Sequence, residues 1–242
     1  PQRNGRPPSK PKAGVDLNLI LSRLEENGRE VDRPWMRKVY AYSEEMHRGQ
    51  RRRSGDEYLS HPPAVASILA DLKFDPTCVA VALLHDVLED TEATFSDLEK
   101  GFGREVAELV DGVSKIGQHE YVQKDQAQAE TFRKLILASA RDIRVILDKI
   151  ADRLHNMQTL GHMKAEQQER IARETLEIFA PLAHRLGMSR VRAELEDLAF
   201  FFLHPEEYRE IQSQLRERMK VGRGLTERIR DRLESELTDA GI

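Results

Sequence analysis

From Asp16 onward apolar residues recur at intervals of three and four, a period that predicts helices and leaves no sustained alternation for strands. Trp35, Val39, Tyr42 and Met46 form one stripe after Pro34, with Gly49 as a candidate stop. Val65, Ile68, Leu69 and Leu72 form the next, entered through "SHPP". Asp75 and Pro76 read as the N-cap and first residue of a helix carrying "VAVALLHDVLED". That helix is apolar all round through Leu84, so it should be central. Further helices are expected over 104–116, 130–140, 143–160 and 167–186, the last bent near Pro181. Three more, over 190–203, 206–219 and 225–237, carry more charge and read as an extension. Residues 117–129, "GQHEYVQKDQAQA", are polar and stripeless and predict a mobile loop of the kind that often covers a site. The pattern therefore predicts an all-α fold in three parts: a flexible, basic, Pro-rich tail over 1–14, one main helical domain over 15–188, and connecting helices over 189–242.

Composition narrows the function classes. A chain of 242 residues can bury a substantial core. Its net charge of −4 offers no global attraction to nucleic acid or anionic membrane, so anion binding must come from a local cluster such as "RGQRRRSG". Arginine supplies forked donors suited to phosphate. The single Cys78 excludes an intramolecular disulfide and fits a reducing cytoplasm. No apolar run is long enough to span a bilayer, and the chain begins with Pro, as an excised piece of a longer protein would.

The candidate chemistry lies where the most apolar helix turns polar. On a continuous helix His85 sits above Glu89 and Asp86 above Asp90, so four ionisable side chains share one patch. Partial burial of unpaired charge there costs several kcal/mol, and a divalent cation would relieve it. His61, at the mouth of a helix, and Asp152, in "ADRLHNMQTL", are the distant candidates for further ligands. Asp148, Asp152, His155 and Thr159 form a polar ridge opposite Ile143, Ile146, Ile150, Leu154 and Met157. Such a ridge reads as a solvated face unless it borders a cavity. On pattern alone, a metal site and a set of capped, salt-bridged helix ends both fit. His47, His119, His155 and His184 read as structural, with a supporting or capping role at the site open to His155.

Four ordered motifs, "YLSHPPAVA", "ALLHDVLEDT", "KIADRLHNMQTL" and "IFAPLAHRLGMSRVRAELEDLAF", resemble the hydrolase region of the RelA/SpoT homologues, the bifunctional (p)ppGpp synthetase/hydrolases within the wider HD-domain metal phosphohydrolases. The likeness runs from about Trp35 to the end of the chain. It implies an all-helical HD domain binding one Mn²⁺ through His61, His85, Asp86 and Asp152, with Glu89 and Asp90 as the catalytic acidic pair. It also implies that Arg52, Arg53 and Ser54 contact a guanosine nucleotide, ppGpp or pppGpp, and that Asn156 and Thr159 lie near its ribose and 3′-phosphates. The reaction implied is release of pyrophosphate from the ribose 3′ position, in the cytoplasm. Two departures stand out: Arg53 where Lys is common, and Gln158 where a basic residue often follows "HNM". No segment resembles the synthetase core, so synthetase and regulatory domains of a parent chain are expected partners and no pyrophosphokinase activity is expected. The alternatives are hydrolysis of another phosphorylated nucleotide, or a regulatory module that binds nucleotide without catalysis.

Overall fold

The computed structural model describes residues 15–50, 60–117, 133–137, 141–215, 217–218 and 236–237. The expected tail over 1–14, the segment with Arg52, Arg53 and Ser54, the loop beyond residue 117, and most of the last expected helix lie outside the described residues. Among those described, every regular element is helical, in agreement with the all-α expectation.

Side-chain caps start the first helices. The Asp16 carboxylate accepts from the Leu19 amide at the head of α1 (Leu17–Glu26), and Asp32 accepts from Trp35 at the head of α2 (Arg33–Met46). α3 (His61–Asp71) begins with His61 itself and carries Pro62 and Pro63 in its first turn, where missing amide protons cost nothing. The expected cap of α4 (Pro76–Leu84) is present, with Asp75 accepting from Cys78.

α4 is central as its pattern predicts. All side chains from Cys78 to Leu84 are buried, and the helix packs against α2, α3, α7 (Arg104–Gly117) and α8 (Arg144–Gln158). Each large apolar side chain removed from water there contributes roughly 1.5–3 kcal/mol. α7 and α8 approach closely at Gly112, where an added Cβ would stand 3.1 Å from Val145 Cγ2.

The expected helix from Pro76 to Asp90 is not continuous. It ends at Leu84, and α5 (Val87–Asp90) is a separate single turn. Side chains cap the last carbonyls of α4: Ser43 Oγ donates to Leu83 O at 2.6 Å, and the His85 ring donates from Nδ1 to Ala82 O at 2.8 Å. The Glu89 and Asp90 amides then bond back to Asp86 O at 3.1 and 2.9 Å, closing a new turn. The helix is therefore interrupted at His85 and Asp86, both of which keep right-handed backbone conformations.

α6 (Phe95–Phe102) is not among the helices expected from periodicity; it is nucleated by a reciprocal capping box between Thr94 and Asp97. The expected helix over 130–140 is described only at residues 133–137, which are helical. The expected helix over 167–186 is split into α9 (Ala165–Glu174), a π turn (Thr175–Phe179) and α10 (Ala180–Arg185). The π turn immediately precedes the turn containing Pro181, which lacks an amide proton, so the disturbance expected there takes the form of a wider turn. Gly187, at φ +73°, follows the end of α10, and α11 (Ser189–Leu203) packs on α8, α9 and α10. Residues 205–215 continue as helix.

Candidate metal centre

Three parts of the chain meet at one point. α3 presents His61 from its first residue, the junction between α4 and α5 presents His85 and Asp86, and the middle of α8 presents Asp152. Asp152 Oδ1 stands 3.1 Å from His61 Nε2 and 4.0 Å from His85 Nε2. Asp86 Oδ1 stands 3.1 Å from His85 Nε2, and Asp86 Oδ2 stands 3.7 Å from His61 Nε2. Potential ligand atoms of His61, His85 and Asp86 all fall within 4.8 Å of one another. The four residues expected to share a cation are thus brought together.

Orientation supports the same use. A carbonyl can only accept, so the bond from His85 to Ala82 O fixes the proton on Nδ1. That leaves Nε2, fully buried, facing the carboxylates, yet despite its 3.1 Å approach to Asp86 it makes no correctly angled hydrogen bond. Two imidazole nitrogens and two carboxylates form a mixed set suited to a divalent ion, and a cation among them would satisfy the orphaned nitrogen. The residues therefore fit a divalent metal.

Without a metal, protons take its electrostatic place. Burial works against the His85 imidazolium, but Asp86, Asp148 and Asp152 outweigh it and lift its pKa to about 10. Burial likewise opposes ionisation of Asp152, but the His61 hydrogen bond, with the charges of His61, Lys149 and His85, holds its carboxyl well below the usual range.

The polar ridge of α8 is not a solvated face. Asp148 is 1% exposed, Lys149 8% and His155 3%. Burial raises Asp148 to about 6, with His85 and Lys149 pulling the other way, and neither of its carboxylate oxygens has a hydrogen-bond partner. Burial opposes the Lys149 charge, but Asp152, Asp86, Glu89 and Asp148 sustain it, so its pKa is raised. His155 Nδ1 lies 2.7 Å from His61 Nδ1. Sequence reasoning leaves Asp148 and Lys149 out of the site, although their alignment one turn before Asp152 is visible in the helical pattern.

The remaining expected residues divide in three ways. Glu89 and Asp90 sit exposed at the rim, on α5. Partial burial raises the Glu89 pKa, with Asp86 and Asp90 adding to the rise and Lys149 opposing it. Asp90 is anchored through its backbone: Gln50 Nε2 donates to Asp90 O at 2.7 Å, and Gln50 Oε1 meets His47 Nδ1 at 2.9 Å. Asn156 Nδ2 donates to Asp152 Oδ1 at 2.7 Å, so Asn156 touches the cluster directly. Thr159 Oγ1 donates to the carbonyls of His155 and Asn156 at 3.0 and 3.3 Å. Arg52, Arg53 and Ser54 lie outside the described residues. Gln158 donates to Glu194 Oε1 at 2.7 Å, towards α11, in a cavity of about 310 Å³ that His155 and Arg190 also line.

A helical bundle that converges two histidines and two aspartates on one buried point defines an all-α protein with a candidate divalent-metal centre. The HD-domain family model matches residues 40–189, and the chain belongs to that family. Over 211 residues it is 50% identical to the "Bifunctional (p)ppGpp synthase/hydrolase SpoT" of Escherichia coli K12, covering 86% of this chain and 30% of that protein. Identity and coverage are the same for the "Guanosine-3′,5′-bis(diphosphate) 3′-pyrophosphohydrolase" of Escherichia coli O157:H7. The chain thus spans about 30% of the length of these relatives. A solved structure, described as a metazoan ortholog of SpoT that hydrolyzes ppGpp and plays a role in starvation responses, matches with a TM-score of 0.52 and 26% identity, over 74% of this chain and 98% of that one. These findings bear out the resemblance to the RelA/SpoT hydrolase region.

Proposed function

We propose that the chain hydrolyses (p)ppGpp, releasing pyrophosphate from the ribose 3′ position to leave GDP or GTP. The observation that carries this reading is the convergence of His61, His85, Asp86 and Asp152, with the orphaned His85 Nε2, beside the exposed Glu89 and Asp90. The names of its relatives supply the substrate class.

In this reading the bound ion is Mn²⁺, held by those four residues, and when bound it lowers the pKa of water and offsets charge on a phosphoryl oxygen. Glu89 and Asp90 orient the attacking water and take up its proton. Water adds to the phosphorus joined to the ribose 3′ oxygen, that P–O bond breaks, and the 3′ oxygen gains a proton. Asn156 keeps Asp152 aligned, and its position with Thr159 at the end of α8 suits contact with ribose and the 3′-phosphates. Arg52, Arg53 and Ser54 recognise the nucleotide. Residues 15–188 form the hydrolase unit and 189–242 lead towards synthetase and regulatory domains of a longer chain. Cys78, as a lone buried thiol, suits a cytoplasmic setting. No helix among the described residues is long and apolar enough to cross a membrane.

The test is pyrophosphate release from ppGpp with Mn²⁺ and with chelator. Mn²⁺-dependent release is expected. Binding of ppGpp without release would overturn catalysis in favour of a binding module, and preferential turnover of another phosphorylated nucleotide would overturn the substrate.

A further inference from the structure

α8 reaches both sides of one imidazole. Asp152 meets His61 Nε2 at 3.1 Å, and His155, three residues further along the same helix, meets His61 Nδ1 at 2.7 Å through its own Nδ1. His61 and His155 are 1% and 3% exposed, and their rings lie 4.8 Å apart at 42°. With a cation in place of the proton that faces Asp152, both rings are neutral and share one proton between their Nδ1 atoms, so one ring donates and the other accepts. If His155 donated, His61 would carry its own proton on Nε2 and could not bind a cation there. If His155 accepts, His61 is protonated on Nδ1 and its Nε2, which faces Asp152 and Asp86, is free to bind the cation.

We infer that His155 is a positioning residue for the metal centre: it accepts the His61 Nδ1 proton and so holds His61 in the one neutral tautomer and ring orientation able to bind a divalent ion through Nε2. The backbone of His155 is fixed by bonds to its carbonyl from Thr159 Oγ1 and the Thr159 amide, and its side chain is buried. His85 obtains the same tautomer from a backbone carbonyl, Ala82 O. His61, at the first residue of α3, relies on a side chain from another helix. Outer partners of this kind typically change metal affinity about 10–100-fold when removed.

The inference rests on the metal-centre reading, and its test separates the two. Mn²⁺ affinity is measured by calorimetric titration of metal-free wild type, His155→Phe and His155→Asn, with folding checked by helical circular dichroism. Phe keeps an aromatic ring but offers no acceptor; Asn places an amide oxygen near the position of Nδ1. We expect His155→Phe to remain helical and bind Mn²⁺ roughly 10–100-fold more weakly, with His155→Asn recovering most of the loss. Equal affinity of wild type and His155→Phe, or no recovery in His155→Asn, would overturn the inference. A wild type that binds no divalent ion would instead defeat the metal-centre reading. Should His155→Phe not fold, imidazole ¹⁵N spectra of Zn²⁺-loaded wild type decide: a His61 Nδ1 proton facing an unprotonated His155 Nδ1 sustains the inference, and a proton on His155 Nδ1 sinks it.

Discussion

Asp148 is where the fold works against itself, and the cost follows from its surroundings. The carboxylate is 1% exposed and neither oxygen has a hydrogen-bond partner. Burial lifts its pKa from 3.8 to about 6, Asp152 and Asp86 add to the rise, and His85 and Lys149 oppose it. A folded-state pKa above the unfolded one means that the native protein holds the proton more tightly. The favourable contribution is complete below about pH 4 and is lost as pH rises through about 6. A gap of about two units at about 1.36 kcal/mol each amounts to roughly 3 kcal/mol lost above pH 7. Asp148→Asn keeps the shape and removes the ionisation. In chelator, urea unfolding followed by helical circular dichroism should show the variant more stable than wild type by roughly 3 kcal/mol at about pH 7.5, with the gap closing towards pH 4. The difference between the two proteins largely cancels the other groups that titrate in this window. A variant no more stable at that pH, or a gap independent of pH, would refute the electrostatic account of this site.

Other outcomes follow from the same geometry. His85→Ala should remove Mn²⁺ binding and turnover together, whereas Glu89→Ala should retain the ion and lose turnover; equal loss of metal in both, by calorimetry, would contradict the division of roles. Because metal-free His85 titrates near 10, metal must displace its proton, so Mn²⁺ affinity should fall about tenfold per pH unit below that value, with proton release measurable in buffers of different ionisation enthalpy. Lys73 follows α3 at φ +66°, a conformation that glycine adopts without penalty, so Lys73→Gly should raise stability by about 1 kcal/mol in thermal or urea unfolding.

Much of this architecture is legible along the chain, and the exceptions have physical causes. Asp75 before Pro76 announces a helix start because both residues act locally, through a cap and a fixed φ. The apolar surround of α4 announces its central place for the same reason. The break after Leu84 depends on Ser43, forty residues earlier, reaching Leu83 O, and no local pattern contains that contact. α6 is signalled by Thr94 and Asp97 but carries few apolar residues to repeat. Residue type and resemblance single out His61, His85, Asp86 and Asp152, while their pattern alone leaves a salt-bridged alternative open. The polar ridge of α8 misleads because a helical wheel shows which residues share a face, not what that face meets; here it meets the cluster, burying Asp148 and His155.

The tether between Gln50 and Asp90 ties the stretch after α2 to the acidic turn by a single side chain. Gln50 holds the carbonyl of the outermost acid, and only one residue separates it in sequence from Arg52. A displacement of Gln50, held between His47 and Asp90, would therefore carry the end of the acidic turn with it, so that the stretch just after α2 and the acid proposed to prepare the attacking water are geared to a common shaft.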